Sequence, residues 1–371
     1  MDRRRWLDEA AFADLVALSQ FLPGPASSQL GIAIGTRRAG IAGGFAAWLG
    51  FTVPSAIAMI GFALLLTNLD LANAGWVHGL KLAAVAVVAQ AIWAMTRVLT
   101  PDPARQAMAV AAAAVALAWG SPIAQVALIA AGGLAGRLLL APTQGSMAGP
   151  TSRAIPRPIG VAALALFIGL LVGLPLLAGG GRGLAALFAS FYTAGALTFG
   201  GGHVVLPLLH AAVAGQGWVT DGQFLAGYGA AQAVPGPLFT IAAFLGAVAL
   251  IPAGPSLTGP AGQVTTGGIV GGLFALVAIF LPSFLLVFGA LPFWDRLRRS
   301  PGFRRALAGT NAAVVGILAA AFIDPIWTGA IRDPSDVGLA GGALAVLATR
   351  RVPPIVVVLL LALAGQVLAR R

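Results

Sequence analysis

Long apolar stretches, separated by short polar or glycine-rich segments, run along almost the whole chain. Four of them, at residues 39–67, 77–95, 159–178 and 267–292, approach or exceed the ~20 residues that a membrane-spanning helix needs. The pattern predicts spans near residues 39–67, 77–97, 105–120, 122–141, 159–178, 267–292, 305–323, 336–349 and 353–369. Runs interrupted by proline or glycine predict helical hairpins near residues 7–35, 183–215 and 220–249.

The composition supports a location in the lipid bilayer. Hydrophobic residues make up 59% of the 371 positions, charged residues only 9%, and the mean hydropathy is +0.94. A soluble domain carries about 25% charged residues, so this chain has too few to cover a water-facing surface. The predicted fold class is therefore an all-α polytopic membrane protein.

The net charge of +11 does not indicate nucleic-acid binding, because the arginines lie in short clusters between apolar stretches. Arg37–Arg38 and Arg350–Arg351 are two such clusters, and no basic stripe with interleaved aromatic residues is present. Clusters of this kind anchor helices at the cytoplasmic membrane surface. The expected partners are the lipid bilayer and a small solute, and no nucleic acid.

Few side chains are suited to catalysis or metal binding. The chain has no cysteine, three histidines and one glutamate, Glu9. No nucleophile–base pair, metal triad or GxxxxGK[ST] loop occurs in the sequence. We therefore expect neither an enzyme nor a cofactor, and active transport by such a chain would use an ion gradient or the membrane potential.

The sequence contains an internal repeat. WLDEAAFADLVALSQFLPGP at residues 6–25 matches WVTDGQFLAGYGAAQAVPGP at residues 218–237, and GIAGGFAAWLGFTVPS at residues 40–55 matches GIVGGLFALVAIFLPS at residues 268–283. A later match places Lys81 opposite Asn311. The predicted units are a first repeat at residues 1–141, a linker with one span at 142–182, and a second repeat at 183–371.

The basic loops fall at opposite places in the two repeats. In the first repeat the loop after the Pro-Gly-Pro motif is basic, whereas residues 68–75, in the next loop, carry no Arg or Lys. In the second repeat residues 251–266 carry none, and residues 294–305 carry five Arg. Because basic loops stay cytoplasmic, the pattern predicts inverted-topology repeats, whose substrate site lies near the membrane midplane.

Both Pro-Gly-Pro motifs are predicted to break a helix within the membrane, since proline removes a backbone donor and clashes with the preceding turn. Non-helical backbone at that depth occurs where it is buried in protein or lines a cavity. We therefore expect re-entrant or broken hairpins and a binding site at the breaks. The residues of the two motifs are Pro23, Gly24, Pro25, Pro235, Gly236 and Pro237.

Three motifs carry a family resemblance: FLPGPASSQ at residues 21–29, TFGGGHVVLP at 198–207 and QAVPGPLFT at 232–240. In a duplicated polytopic chain they resemble the chromate ion transporter family. The resemblance implies a bacterial inner-membrane protein that exports chromate and confers chromate resistance. A counterpart of TFGGGHVVLP would precede Trp6, where only five residues stand, so we expect an N-terminally incomplete first repeat.

Chromate is a tetrahedral dianion, which helix N-termini bind through free N–H groups and the helix dipole. Hydroxyls after each break can donate to such an anion or only cap their own helix. The triple glycine can form an anion nest or serve close helix packing. The candidate substrate-binding residues are Ser27, Ser28, Thr240, Gly200, Gly201, Gly202, His203, Lys81, Gln20 and Gln232.

Several of these residues also have structural interpretations. His203 can be packed or interfacial, and Lys81, the only lysine, can extend to the interface. Gln20 and Gln232 can brace the breaks. The alternatives to chromate export are transport of another oxyanion, such as sulfate, and a truncated membrane protein without transport activity. The sequence leaves a homodimer open.

Overall fold

A computed structural model describes most of the chain. The described residues are 7, 9–68, 74–141, 155–178, 184–199, 202–250 and 266–368. Within these ranges the regular structure is entirely helical, which confirms the predicted all-α membrane fold.

Two helices of the first half begin at a proline that follows a small polar residue. Asp102 and Ser121 each precede a helix and accept a hydrogen bond from an N–H in its first turn. Pro103 and Pro122 occupy the first helical position. Proline is favoured there because its missing N–H would have no intrahelical partner. The helices are α1 (Glu9–Phe21), α2 (Ala26–Asn68), α3 (Gly75–Leu99), α4 (Pro103–Ala118), α5 (Pro122–Leu139) and α6 (Arg157–Ala178).

The second half contains shorter and less regular elements. The helices are α7 (Leu184–Ala196), α8 (Val205–Leu209), α9 (Asp221–Ala233), α10 (Ile241–Leu250), α11 (Thr266–Ala290), α12 (Trp294–Arg299), α13 (Pro301–Ala321), α14 (Thr328–Ala330), α15 (Pro334–Ala348) and α16 (Pro354–Leu368). Single 3₁₀ turns cover Gly202–Val204, Leu238–Thr240 and Leu291–Phe293, and π-helical turns cover His210–Ala214 and Phe322–Trp327.

Nine spans were predicted, and five described helices are long and apolar enough to cross a membrane: α2, α3, α6, and those containing α11 and α13. Helices α4, α5, α15 and α16 lie where predicted but have only 15 to 18 residues. At 1.5 Å per residue they reach about 22–27 Å, less than the ~30 Å hydrocarbon core. The predicted spans at residues 105–120, 122–141, 336–349 and 353–369 are similarly short, so their bounds agree with these helices, and their crossing of the membrane stays a prediction.

Helix α2 is two helices joined by a sharp reversal. Ala39 and Gly40 have non-helical dihedral angles, and the φ of Gly40 is +65°. Gly35 and Gly43 then meet so closely that a methyl group on either would clash with the carbonyl of the other. The first part, residues 26–38, follows the break, and the second part, residues 41–68, is the long apolar helix.

The two halves exchange helices. Helix α3 of the first half packs against α15 and α16, whereas α13 of the second half packs against α4 and α5. The crossings use corresponding glycines: Gly79 contacts the Leu361 carbonyl, and Gly309 contacts the Gly132 carbonyl. Such contacts let helix backbones approach closely without side chains between them. One hydrophobic core consequently contains residues of both halves.

Candidate functional site

Both Pro-Gly-Pro motifs interrupt helices. The first lies between α1 and α2, and the second lies between α9 and the turn at Leu238–Thr240. The φ angles of Gly24 and Gly236 are +124° and +153°, a region that side chains with a Cβ rarely adopt. Glycine at the centre of each motif therefore permits the chain to turn between two prolines.

Each break lies against the long helix of the other half. A methyl group on Gly24 would lie 2.9 Å from the Ser283 hydroxyl oxygen of α11, and one on Gly236 would lie 2.7 Å from the Ser55 Cβ of α2. Ser55 and Ser283 are the corresponding last residues of the repeated segments that end in Pro-Ser. The same contact is thus made twice, with the halves interchanged.

The segment after α7 lies between the two breaks. The Gly24 amide donates a 2.6 Å hydrogen bond to the Thr198 carbonyl, at the start of TFGGGH. At its other end, a methyl group on Gly202 would lie 3.6 Å from the Leu238 side chain, which follows the second break. Gly200 and Gly201 lie outside the described residues. The three sequence motifs therefore meet in one region.

A cavity of about 520 Å³ opens beside the first break. Gln20 and Gly24 line it, together with Ala26 at the start of α2 and Asn311 of α13. The Asn311 side-chain oxygen is buried without a hydrogen bond from any described residue. The first turn of α2 begins at this cavity, and the first N–H groups of a helix have no intrahelical partner.

A smaller cavity, of about 260 Å³, lies beside the second break. Gln232, Pro235, Gly236 and Leu238 line it, together with Pro354 and its neighbour at the start of α16. Pro235 and Gly236 are exposed, whereas Gly24 and Pro25 of the first motif are buried. The second break is therefore the more open of the two.

The predicted hydroxyl donors have different environments. Ser28 is buried, and its hydroxyl has no hydrogen-bond partner among the described residues. Ser27 is exposed. The Thr240 hydroxyl donates to the Pro237 carbonyl of its own turn, as the structural interpretation expects. Ser28 is consequently the buried hydroxyl of this group that has no partner among the described residues.

His203 and Lys81 lie apart from the first cavity. The His203 ring nitrogen Nδ1 forms a 2.6 Å hydrogen bond with the Tyr228 hydroxyl of α9, so this nitrogen already has a partner within the protein. Lys81 projects from α3 towards the first turn of α9, where a methyl group on Gly222 would lie 3.0 Å from its Nζ. Helix α9 extends from that turn to the second break.

Sequence reasoning did not single out several residues of this region. Gln29 donates a 2.6 Å hydrogen bond to the Pro23 carbonyl and braces the first break. Asp14 of α1 is buried and accepts hydrogen bonds from Trp294 at 3.0 Å and Arg298 at 2.8 Å, both in α12. The repeated Pro-Ser ending was a visible signal for Ser55 and Ser283, whereas no pattern marked Asp14.

Comparisons with known proteins agree with this arrangement of motifs. The family model described as "Chromate transporter" matches residues 1–137 and 185–366. The chain is 30% identical to the chromate transport protein of Pseudomonas aeruginosa, covering 98% of this chain and 84% of that one. It is 24% identical to a probable chromate transport protein of Synechococcus elongatus, covering 87% and 76%.

A further relative, an uncharacterized transporter of Methanocaldococcus jannaschii, is 24% identical over 87% of this chain and 76% of its own length. No solved structure matches the chain. The family model covers both repeats. The chain belongs to the chromate transporter family.

Proposed function

We propose that this protein exports chromate across the bacterial cytoplasmic membrane and binds the dianion in the cavity beside the first break. The observation that carries the proposal is the hydrogen bond from Gly24 to Thr198, which brings two of the three motifs together at that break. The family assignment and the 30% identity to a chromate transport protein support the substrate.

The cavity has the chemistry that an oxyanion needs. Its lining includes the side-chain amides of Gln20 and Asn311 and the backbone of Ala26 at the start of α2, and no lining residue carries a carboxylate. A helix N-terminus adds free N–H donors and positive potential. A tetrahedral anion can therefore exchange its water shell for amide and N–H donors without meeting a negative charge.

The direction of transport follows from the membrane potential. Export of a dianion from a negative interior is favoured by ~2.3 kcal/mol per charge for each 100 mV. Outward movement therefore needs no coupled ion. Sulfate has the same shape and charge as chromate, so transport of another oxyanion is the second candidate function.

Uptake of radiolabelled chromate into inverted vesicles that contain this protein tests the proposal. We expect saturable uptake that needs an energised membrane. Ser28→Ala and Asn311→Ala should lower kcat/KM about three- to tenfold, the effect of losing one hydrogen bond of ~0.5–1.5 kcal/mol. Thr349→Ala is the control and should leave uptake unchanged, because this exposed hydroxyl donates to the Val346 carbonyl and accepts from the Arg351 amide.

Two outcomes would contradict parts of the proposal. Absence of chromate uptake, with folded protein in the membrane, would exclude chromate as the substrate. If excess sulfate abolishes chromate uptake and labelled sulfate is carried equally well, the protein is a general oxyanion carrier. Unchanged uptake by both Ser28→Ala and Asn311→Ala would instead move the binding site away from the first break.

A further inference from the structure

We infer that Lys81, the first turn of α9 and Arg332 form a second oxyanion site, separate from the cavity at the first break. The site lies at the end of α9 opposite the second break. The 13 residues of α9, at 1.5 Å each, place this site about 20 Å from the second break. The inference rests on the proposed function for the identity of its ligand, the transported tetrahedral dianion.

Lys81 is a buried cation without a counter-ion in the described part of the chain. It is 7% exposed, and its ammonium makes no hydrogen bond or ion pair with any described residue. A buried charge is costly unless it is paired, and in membrane proteins such charges are usually functional. The ammonium therefore has donors available for an anion.

The surroundings of Lys81 add to its positive potential. Its Nζ lies over Gly222 in the first turn of α9, at the positive end of the helix dipole. The Arg332 guanidinium is close enough to repel the ammonium. A cation at a helix N-terminus beside a second cation is unfavourable by itself, and an anion between them would add attraction to both cations and to the helix N-terminus.

Free backbone donors are present at the same place. In α9 the Gln223 amide donates to the Thr220 hydroxyl at 3.2 Å, and the Phe224 amide donates to the Thr220 carbonyl at 2.9 Å. Within the described residues, no hydrogen bond uses the N–H groups of Asp221 and Gly222. These two amides and the Lys81 ammonium are donors of the kind that bind oxyanions at helix N-termini.

Nearby carboxylates are held by other partners. Asp336 accepts from His78 at 2.7 Å and from the Arg332 amide at 2.8 Å, and Asp221 pairs with His210 at 2.7 Å. Asp333 caps α15, where hydrogen bonding from the Ser335 hydroxyl holds the pKa of its carboxyl below the usual value. None of these carboxylates neutralises Lys81.

Lysine-directed labelling tests the site directly, because Lys81 is the only lysine of the chain. The purified full-length protein in proteoliposomes would be acetylated with a water-soluble amine reagent, and acetyl-Lys81 quantified by mass spectrometry. Labelling of the N-terminal amine in the same sample serves as the internal reference. We expect sulfate and chromate to slow Lys81 acetylation about five- to tenfold in a saturable way, because a bound anion forms a charge-assisted hydrogen bond with the ammonium and shields it from the reagent. Chloride at equal ionic strength should not.

Variants separate a ligand site from a merely structural charge. Arg332→Gln should weaken the protection by sulfate while Lys81 remains reactive. In transport, Lys81→Gln should raise KM for chromate about five- to tenfold with kcat retained, and Lys81→Arg should restore KM because it keeps the charge.

Several results would overturn the inference. If Lys81 is not acetylated even without anions, it has no access to water. If sulfate and chromate do not change the rate of Lys81 acetylation, it binds neither anion. A fall in kcat alone for Lys81→Gln would assign the residue a structural role. The proposed function fails separately: protection by sulfate without chromate transport would keep the anion site and exclude chromate as the cargo.

Discussion

The first and second breaks have the same Pro-Gly-Pro sequence but different surroundings. The first is buried, with the Gly24 amide bonded to the Thr198 carbonyl, and it borders the larger cavity. The second is exposed at Pro235 and Gly236. The motif thus determines the bend of the chain, whereas the packed neighbours determine whether the bend can enclose a ligand.

The corresponding residues Asn311 and Lys81 extend this comparison. Asn311 contributes a neutral amide to the first cavity, while Lys81 carries a charge near the far end of α9. A neutral amide can hold a dianion without trapping it, whereas an unpaired ammonium attracts one over a longer distance. The two halves have therefore diverged in charge at a position where their helices correspond.

The largest expected effect comes from adding a methyl group at the first break. Gly24→Ala would strain a residue with φ of +124° and place its Cβ 2.5 Å from the Gln29 amide nitrogen. We expect a loss of about 2–4 kcal/mol in the free energy of unfolding and loss of chromate uptake. Gly236→Ala should destabilise the protein to a similar extent, because φ is +153° there and the methyl group would lie 2.7 Å from the Ser55 Cβ. It should lower chromate uptake less, since the second break borders the smaller cavity. Thermal unfolding in detergent and vesicle uptake would measure both variants, and equal losses of uptake would contradict the difference between the breaks.

The helix exchange predicts a matched pair of smaller effects. Gly79→Ala and Gly309→Ala would each press a methyl group into the backbone of the opposite half, so each should destabilise the protein by about 1–3 kcal/mol. Gly61→Ala is the control, since a methyl group there meets no atom within 4 Å. Differential scanning fluorimetry would compare the three. The two crossings are not equivalent if the stability losses of Gly79→Ala and Gly309→Ala differ by more than the change measured for Gly61→Ala.

A charge change at Asn311 sharpens the comparison at nearly constant volume. Asn311→Asp puts a carboxylate into the first cavity, where it should repel a dianion and lower kcat/KM about tenfold, equivalent to ~1.4 kcal/mol. Initial rates of chromate uptake give the value, and circular dichroism confirms folding. If Asn311→Asp transports as well as Asn311→Ala, the anion does not pass this residue.

The local sequence predicts where helices begin, but it does not predict which helices pack against each other. Pro103, Pro122, Pro301 and Pro354 mark helix starts because the ring fits the first turn, so these elements fall close to their predicted places. The six-residue helix α12 was predicted to be part of a loop, since its charged residues give no apolar period. It forms because Arg298 pairs with Asp14 and Asp295.

The site was predictable only in part for the same reason. The repeat and the motifs placed Gln20, Gly24, Gln232 and Gly236 at the breaks, and these residues do line the two cavities. The position of Lys81 depends on the packing of α3 against α9, which lies far away in sequence. Contacts between distant helices leave no local period, so spacing alone could not show that Lys81 faces Gly222.

The helix exchange also affects how the chain is made. Helices α4 and α5 leave the ribosome about 160 residues before α13, their packing partner. At 5–20 residues per second, they wait roughly 8–30 s in the membrane without that partner. The surface that they then show to lipid is formed by small residues such as Gly132 and Gly136. Glycine adds no polar side chain to that surface, so lipid can cover it until the second half arrives.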